Sequence, residues 1–203
     1  MRDGWEERFL SGEDCGEALP ELLDLARVVP DAPPQIVDFY RHPDRYAIRA
    51  RASSDRWGQY ALWLFAAGFR QCCIPVGGAD GCSYQVCQRL YLDDRRRRHW
   101  DRYVRVDGAL RRLFVARIDG REGRVDETFV LWGVPARLAF DVRVEAEAVV
   151  LRLDPAKSSP LAWPLRVQYR TAVGERGALY TEGDFRVPLA GLRVRTHFTI
   201  VPA

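Results

Sequence analysis

The sequence predicts an α+β fold in which about nine strands form a large curved antiparallel β-sheet or a β-barrel, with N-terminal helices packing on it or capping it. Apolar and polar residues alternate in a series of segments that follow residue 83. Asp-Gly and other glycine-rich turns link these segments, as in β-hairpins. No helix-length pattern separates them, which argues against parallel βαβ units. A sheet of this size is expected to close or to wrap around helices.

Length and composition are those of one globular domain. The chain has 203 residues, of which 47% are hydrophobic and 29% charged, so it can bury a core of its own. We predict a mobile acidic arm over residues 1–18 and a single barrel-like domain over residues 19–203. Apolar runs fall short of the ~18 residues that a membrane helix needs. The acidic start MRDGWEE differs from the basic start of a signal peptide, which predicts a cytoplasmic protein.

Helices are predicted only in the first third of the chain. An apolar stripe predicts a helix over Leu19–Val29, and a shorter one follows over Gln35–Arg41. Trp57–Phe69 is apolar around most of its circumference, so the helix predicted there must be covered by the sheet. Tyr46–Ala52 alternates as a strand. Nine further strands are predicted at Ser83–Leu92, His99–Val106, Ala109–Ile118, Arg124–Trp132, Arg137–Val144, Ala148–Leu153, Trp163–Val173, Leu179–Val187 and Leu192–Val201.

Charge and cysteine content argue against several classes of function. The arginine run at residues 95–98 follows two aspartates where a turn is expected, so a solvated hairpin end is favoured over a phosphate-binding patch. No P-loop, G-x-G-x-x-G or G-x-S-x-G motif is present, and we predict no cofactor. The five cysteines lack zinc-ligand spacing, so buried or spare reduced thiols are favoured and no metal is predicted. They are Cys15, Cys72, Cys73, Cys82 and Cys87.

Several short motifs resemble a known bacterial family. The segment Glu182–Val194 (EGDFRVPLAGLRV) is similar to that family's closing hairpin, FDV-x-x-PL-x-GL-x-V, and Trp100–Tyr103 (WDRY) is similar to its W-x-R-F strand. Over roughly Pro33–Val201 the chain thus resembles the domain-of-unknown-function family 4166, whose members occur alone or fused to NAD-binding reductase-like domains. It departs from the family pattern at Thr196-His197. The resemblance implies the architecture and leaves the mechanism open, because the family has no settled catalytic residues.

Two charged residues on the apolar face of neighbouring strands form the first candidate site. Glu127 lies between Val125 and Phe129 in the inward register, and Arg112 holds the equivalent position on the preceding strand. Pairing across an antiparallel ladder would put the two opposite or diagonal to each other. The pair is either a carboxylate held beside a guanidinium as acid, base or ligand anchor, or a structural ion pair. The structural role is favoured, since buried charges are normally paired.

His197 and a set of aromatic residues complete the candidate site. Alternation places His197 on the polar face of its strand, and a bulge would be needed to turn it inward. Large aromatic side chains can line a cavity and stack on a flat substrate, although core packing explains them equally well. The predicted substrate-binding residues are Trp63, Trp100, Tyr103, Trp132, Phe129, Phe140, Trp163 and Tyr169.

A barrel with an apolar interior suits a small hydrophobic ligand. The sequence therefore predicts a small-molecule pocket protein, specifically a cofactor-independent isomerase or cyclase that acts on a polyketide- or terpenoid-like compound in bacterial secondary metabolism. The alternatives are a non-catalytic ligand-binding or accessory protein that works with a reductase partner, and a structural module whose barrel is filled by side chains. The predicted partner is the hydrophobic ligand, a homodimer stays open, and neither nucleic acid nor membrane is predicted.

Overall fold

Ten antiparallel strands close into a barrel in the part of the chain that the computed structural model describes, residues 21–54, 82–92, 98–106, 109–131, 134–188 and 191–202. Each strand pairs with its neighbours in the sequence, and β1 closes the barrel against β10. The strands are β1 Tyr46–Ser54, β2 Cys82–Leu92, β3 Arg98–Val106, β4 Ala109–Arg121, β5 Arg124–Leu131, β6 Val134–Glu145, β7 Ala148–Leu153, β8 Arg166–Val173, β9 Leu179–Val187 and β10 Leu192–Pro202.

Two short helices precede the barrel within the described residues, α1 over Leu25–Val28 and α2 over Pro34–Arg41. Pro34 occupies the first helical turn of α2, where a missing N–H costs nothing, and Pro43 follows the end of the helix. None of the described helices is long and apolar enough to cross a membrane. Single 3-10 turns lie at Pro43–Arg45, Pro155–Lys157, Pro160–Ala162 and Glu175–Gly177.

The helices lie at one end of the barrel. The amide of Gly123, in the turn between β4 and β5, donates to the carbonyl of Val28 in α1 at 2.7 Å. An added Cβ on Gly120 of β4 would meet the side chains of Leu23 and Val28, so the segment packs directly on this strand. Because neighbouring strands alternate in direction, β5 runs from this end toward the opposite one, where Leu131 ends it.

The inner face of the barrel is apolar and continuous with the helices. On β1, Ile48 and Ala50 are buried while the residues between them are exposed, as alternation requires. Ile48 pairs with Ile200 on one side and with Val86 on the other, and Val86 pairs with Val104 of β3. These side chains form one core cluster with the buried residues of both helices. Burial of this cluster supplies the main stabilisation of the fold.

The predicted fold class is confirmed, and the nine strands predicted beyond residue 81 are all present. The helix predicted over Leu19–Val29 is wrong in its first half, because the amides of Leu22 and Leu23 donate to the carbonyls of Arg41 and Tyr40 instead of starting a helix. The strand predicted from Trp163 begins at residue 166, after a 3-10 turn. The proposed arm at residues 1–18 and the helix predicted at residues 57–69 lie outside the described residues.

The predicted pairing of Arg112 with Glu127 is wrong. Strand β4 continues to Arg121 and turns within two residues, so Glu127 pairs with Ile118. In addition, a β-bulge shifts the β3–β4 register: Arg102 pairs with residue 114, whereas Tyr103 pairs with Arg112. One extra residue reverses which face a strand presents. Position 112 therefore shares the face of Tyr103, opposite to the inner face.

An ion-pair cluster centred on Asp184 joins β9 and β10 on the outer face. Arg193 donates from Nε to Oδ1 at 2.9 Å and from Nη2 to Oδ2 at 2.8 Å, and Arg186 donates to the same carboxylate. Partial burial opposes ionisation, but the hydrogen bonds from Arg186 and Arg193 outweigh it and lower the pKa of Asp184 to about 2. This cluster stabilises the strand pair and lies on the other side of the sheet from the interior.

Candidate functional site

A buried ion pair crosses the interior of the barrel. Nη2 of Arg102, on β3, donates to Oε1 of Glu127, on β5, at 2.7 Å. Side-chain exposure is 22% for Arg102 and 9% for Glu127, so the bond is made largely away from bulk water. Strand β4 separates the two, with Ile118 paired to Glu127. A long arginine side chain is therefore needed to reach across it.

Glu127 is only partly satisfied by this bond. Arg102 contacts Oε1, and among the described residues no hydrogen-bond partner is present for Oε2. Val125 and Phe129, its neighbours on the inner face, are both buried. The Glu127 side chain keeps 9% of its surface accessible. An accessible carboxylate oxygen without a protein partner can accept a hydrogen bond from a ligand or from an ordered water.

Trp100 supports the guanidinium from the same strand. The guanidinium carbon of Arg102 lies 3.9 Å from the centre of the Trp100 ring, which is the distance of a cation–π contact. The tryptophan in turn meets Phe39 of α2 edge to face, with ring centres 6.4 Å apart. The helical end of the barrel thus fixes the tryptophan, and the tryptophan fixes the arginine.

The charges of the ion pair act on two tyrosines, Tyr40 and Tyr169. Burial, more than any other factor, raises the pKa of Tyr40, on α2; a hydrogen bond with Thr171 partly offsets this effect. Burial and then the negative charge of Glu127 raise the pKa of Tyr169, on β8. Both phenols therefore stay protonated over the ordinary pH range and act as hydrogen-bond donors. The Thr171 hydroxyl also bonds the Thr181 hydroxyl, at 2.9 Å.

Aromatic rings hold Tyr169 in place. Its ring packs edge to face on Phe185, with centres 5.3 Å apart and planes at 86°, and lies 6.0 Å from the ring of Phe140. Gly183 pairs with Tyr169 on β9, and a Cβ there would come within 3.2 Å of the tyrosine ring and 2.3 Å of Thr196 Oγ1. The glycine therefore leaves the space that the tyrosine and threonine occupy.

Several side chains of the inner face around these groups are only partly buried. The inner face thus combines a charged pair, phenol groups and apolar rings, with part of their surface accessible to water. The partly buried residues are Trp100, Arg102, Leu138, Tyr169, Phe185 and Phe198.

A second concavity lies outside the barrel, near the start of α1. Its volume is about 230 Å³. Asp24, one of its two acidic lining residues, already binds Arg41 at 2.7 Å and Arg27 at 3.1 Å. We therefore place the candidate site inside the barrel. The residues lining this outer concavity are Glu21, Leu23, Asp24, Arg27, Arg98 and Gly120.

The structure brings together some of the residues predicted from the sequence. Glu127, Trp100 and Tyr169 meet around the ion pair, and Phe140 contacts Tyr169. Phe129 is also on the inner face but packs in a separate small cluster with Ala136.

Other predicted residues lie elsewhere. Tyr103 is buried on the face of β3 opposite to Arg102, and its partner in the β3–β4 register is residue 112. Trp163 is 67% exposed and precedes β8. His197 is exposed and pairs with Arg51 and Glu182, so the structure does not bring it to Glu127. Trp63 and Trp132 lie outside the described residues.

Arg102 and Tyr40 were missed by the sequence reasoning. Arg102 had a visible signal, because Trp100, Arg102 and Val104 alternate on β3 and the first two belong to the WDRY motif. No sequence signal pointed to Tyr40, since the pattern of α2 does not indicate where the end of that helix meets the barrel. Among the described residues, no group of three or more His, Cys, Asp or Glu side chains is arranged to hold a metal ion.

Comparison with known proteins adds no assignment. No protein-family model, curated protein or solved structure matches the chain. The resemblance to family 4166 stays a prediction, and the interior geometry carries the functional argument.

Proposed function

We propose that the chain binds a hydrophobic small molecule inside its barrel and acts on it as a cofactor-independent isomerase or cyclase. The observation that supports this proposal is the Arg102–Glu127 pair, which leaves Oε2 of Glu127 without a partner among the described residues while the two side chains stay 22% and 9% exposed. A positioned carboxylate can take and return a proton without any cofactor. The arginine keeps the negative charge in place where burial would otherwise disfavour it.

The lining of the site supports an apolar substrate. Trp100 stacks on the guanidinium of Arg102, and Phe140 and Phe185 pack on Tyr169. Ligand sites of this kind are mostly apolar, with a few polar groups that set orientation. A polyketide- or terpenoid-like compound of bacterial secondary metabolism fits this chemistry, with the apolar skeleton against the rings and one oxygen toward the pair.

A non-catalytic role is the second candidate, and the ion pair itself favours it. Because Arg102 already engages Glu127 at 2.7 Å, the pair can serve to orient a ligand without exchanging protons with it. The protein would then hold a hydrophobic compound for a partner enzyme, and the resemblance to family 4166 suggests a reductase for that role. Turnover by the purified protein separates the two candidates.

The test is a ligand screen with a matched pair of variants. Purified protein is extracted with organic solvent for mass spectrometry, and a panel of apolar compounds is screened by thermal shift. Glu127→Gln keeps the shape of the side chain and removes its charge. Glu182→Gln makes the same change at an exposed position on the outer face of β9. We expect Glu127→Gln to weaken turnover by ~10²–10⁴-fold if Glu127 is the acid or base, and Glu182→Gln to have no effect.

Two results would contradict the proposal. If no apolar compound raises the melting temperature and none is extracted, the barrel is a structural module and the proposal is wrong. If compounds bind equally well to both variants and are turned over at the same rate, the interior pair is not part of the site.

A further inference from the structure

Tyr169 lies on the inner face and takes no part in the Arg102–Glu127 ion pair. Its ring is fixed between Phe185 and Phe140, on top of Gly183, so its hydroxyl has a defined position. Phe140, which the ring contacts, pairs with Val125, the neighbour of Glu127 on the inner face, so Tyr169 lies on the same side of the sheet as the ion pair. The charges of Glu127 and Arg102 both act on its hydroxyl. In the described part of the chain the Tyr169 hydroxyl has no hydrogen-bond partner, although its residue is half buried. Two unbonded polar atoms, this hydroxyl and Oε2 of Glu127, therefore face the same interior.

These two atoms have complementary chemistry. The carboxylate oxygen accepts protons, and the phenol donates one in a hydrogen bond. A neutral donor beside a carboxylate base is the combination that stabilises an enolate, since negative charge develops on an oxygen as a proton leaves the neighbouring carbon. Another buried phenol, Tyr40, is already bonded to Thr171 and is less suited to this role.

We infer that Tyr169 donates a hydrogen bond to the carbonyl oxygen of the substrate while Glu127 moves the proton of the adjacent carbon. The substrate class is therefore an apolar ketone with an enolisable hydrogen. This inference rests on the proposed function and deepens it.

The proton transfer is balanced without any further reactant. Oε2 of Glu127 takes the proton from the carbon next to the carbonyl, and the C–H electrons form the C=C bond of an enolate whose oxygen Tyr169 holds. The carboxylic acid then either exchanges its proton with water and protonates the same carbon or, in an unsaturated ketone, passes the proton to another carbon of the conjugated system. The first outcome is hydrogen exchange and the second is migration of the double bond. An enolate formed in this way can also attack a second carbonyl, which is how a cyclisation would begin.

The experiment uses one probe pair, 1-tetralone and tetralin, which share a ring skeleton and differ in the carbonyl. Affinities are measured by calorimetry, and deuterium uptake at the carbon next to the carbonyl of 1-tetralone is followed by NMR in D₂O. The proteins are wild type, Tyr169→Phe, Glu127→Gln and Tyr180→Phe. Tyr180 is an exposed tyrosine on β9, so it provides the matched control.

We expect Tyr169→Phe to weaken 1-tetralone binding about 3- to 10-fold, the effect of one lost hydrogen bond, without changing the affinity for tetralin. Deuterium uptake should slow by about 10²-fold in Tyr169→Phe, as on removal of one oxyanion donor, and should fall to background in Glu127→Gln. Tyr180→Phe should match wild type in every measurement.

The outcomes separate the inference from the proposed function. If wild type binds neither compound, the proposed interior site fails and the inference fails with it. If wild type binds both and Tyr169→Phe changes neither 1-tetralone affinity nor exchange, the site stands and the role of Tyr169 is refuted. A loss of tetralin binding equal to that of 1-tetralone would also refute it, because the tyrosine would then act only through packing.

Discussion

Removing one or both charges of the interior pair tests how strongly Arg102 and Glu127 depend on each other. In Arg102→Met the carboxylate of Glu127 stays only 9% exposed and loses its guanidinium, so the free energy of unfolding should fall by ~3–5 kcal/mol. In Glu127→Gln the amide still accepts a hydrogen bond, and the cation is 22% exposed and stacked 3.9 Å from Trp100. That variant should lose only about 1–2 kcal/mol.

The free energy of unfolding of the double variant shows whether the two charges depend on each other. With both charges gone no uncompensated ion remains, so Arg102→Met/Glu127→Gln should be more stable than Arg102→Met alone by about 1–3 kcal/mol. Urea unfolding followed by circular dichroism measures all four proteins. The matched control is the exposed pair Arg117–Asp119, at 2.9 Å with side-chain exposures of 32% and 55%, whose loss should cost at most about 1 kcal/mol. Additive losses at the interior pair would refute the reasoning.

Two further predictions concern stability away from the charges. Gly183→Ala brings a Cβ within 2.3 Å of Thr196 Oγ1 and should lower the free energy of unfolding by ~1–3 kcal/mol. A second change, Thr196→Ala, should restore most of that stability in urea unfolding. The control, Gly174→Ala, should lose little stability because the exposed Tyr180 ring can move aside. The pKa of Asp184 is lowered from 3.8 to about 2, so its contribution is present above about pH 4 and is lost as the pH falls toward 2. Asp184→Asn should therefore show a flatter loss of stability over that pH window, by ~1 kcal/mol after solvent screening.

The fold was predictable because strand alternation and turn residues are local signals. From Ser83 onward each predicted strand matches an observed one, and the errors are at strand ends. The helix that fails, Leu19–Val29, fails because its first half bonds to the end of α2. That is a tertiary contact, and apolar spacing within the segment carries no information on it.

The sequence predicted an inward carboxylate held by an arginine, but it did not predict which arginine holds it or that Tyr40 accompanies it. The apolar neighbours of Glu127 marked it as an inward carboxylate, and a guanidinium does hold it. The arginine comes from β3 instead of β4, since Glu127 pairs with Ile118 and a bulge shifts the β3–β4 register between Arg102 and Tyr103. Assigning alternate residues to the two faces of a strand assumes an uninterrupted ladder, and a single extra residue reverses the assignment beyond it. Tyr40 enters the site from a helix, where strand parity does not apply.

A crystal structure of the protein grown with 1-tetralone tests the central claim most directly. We expect electron density for the ligand inside the barrel, with its carbonyl oxygen within hydrogen-bond distance of the Tyr169 hydroxyl and the neighbouring carbon against Oε2 of Glu127. An interior without ligand density at saturating concentration, or ligand bound only on the outer faces of the strands, would contradict it.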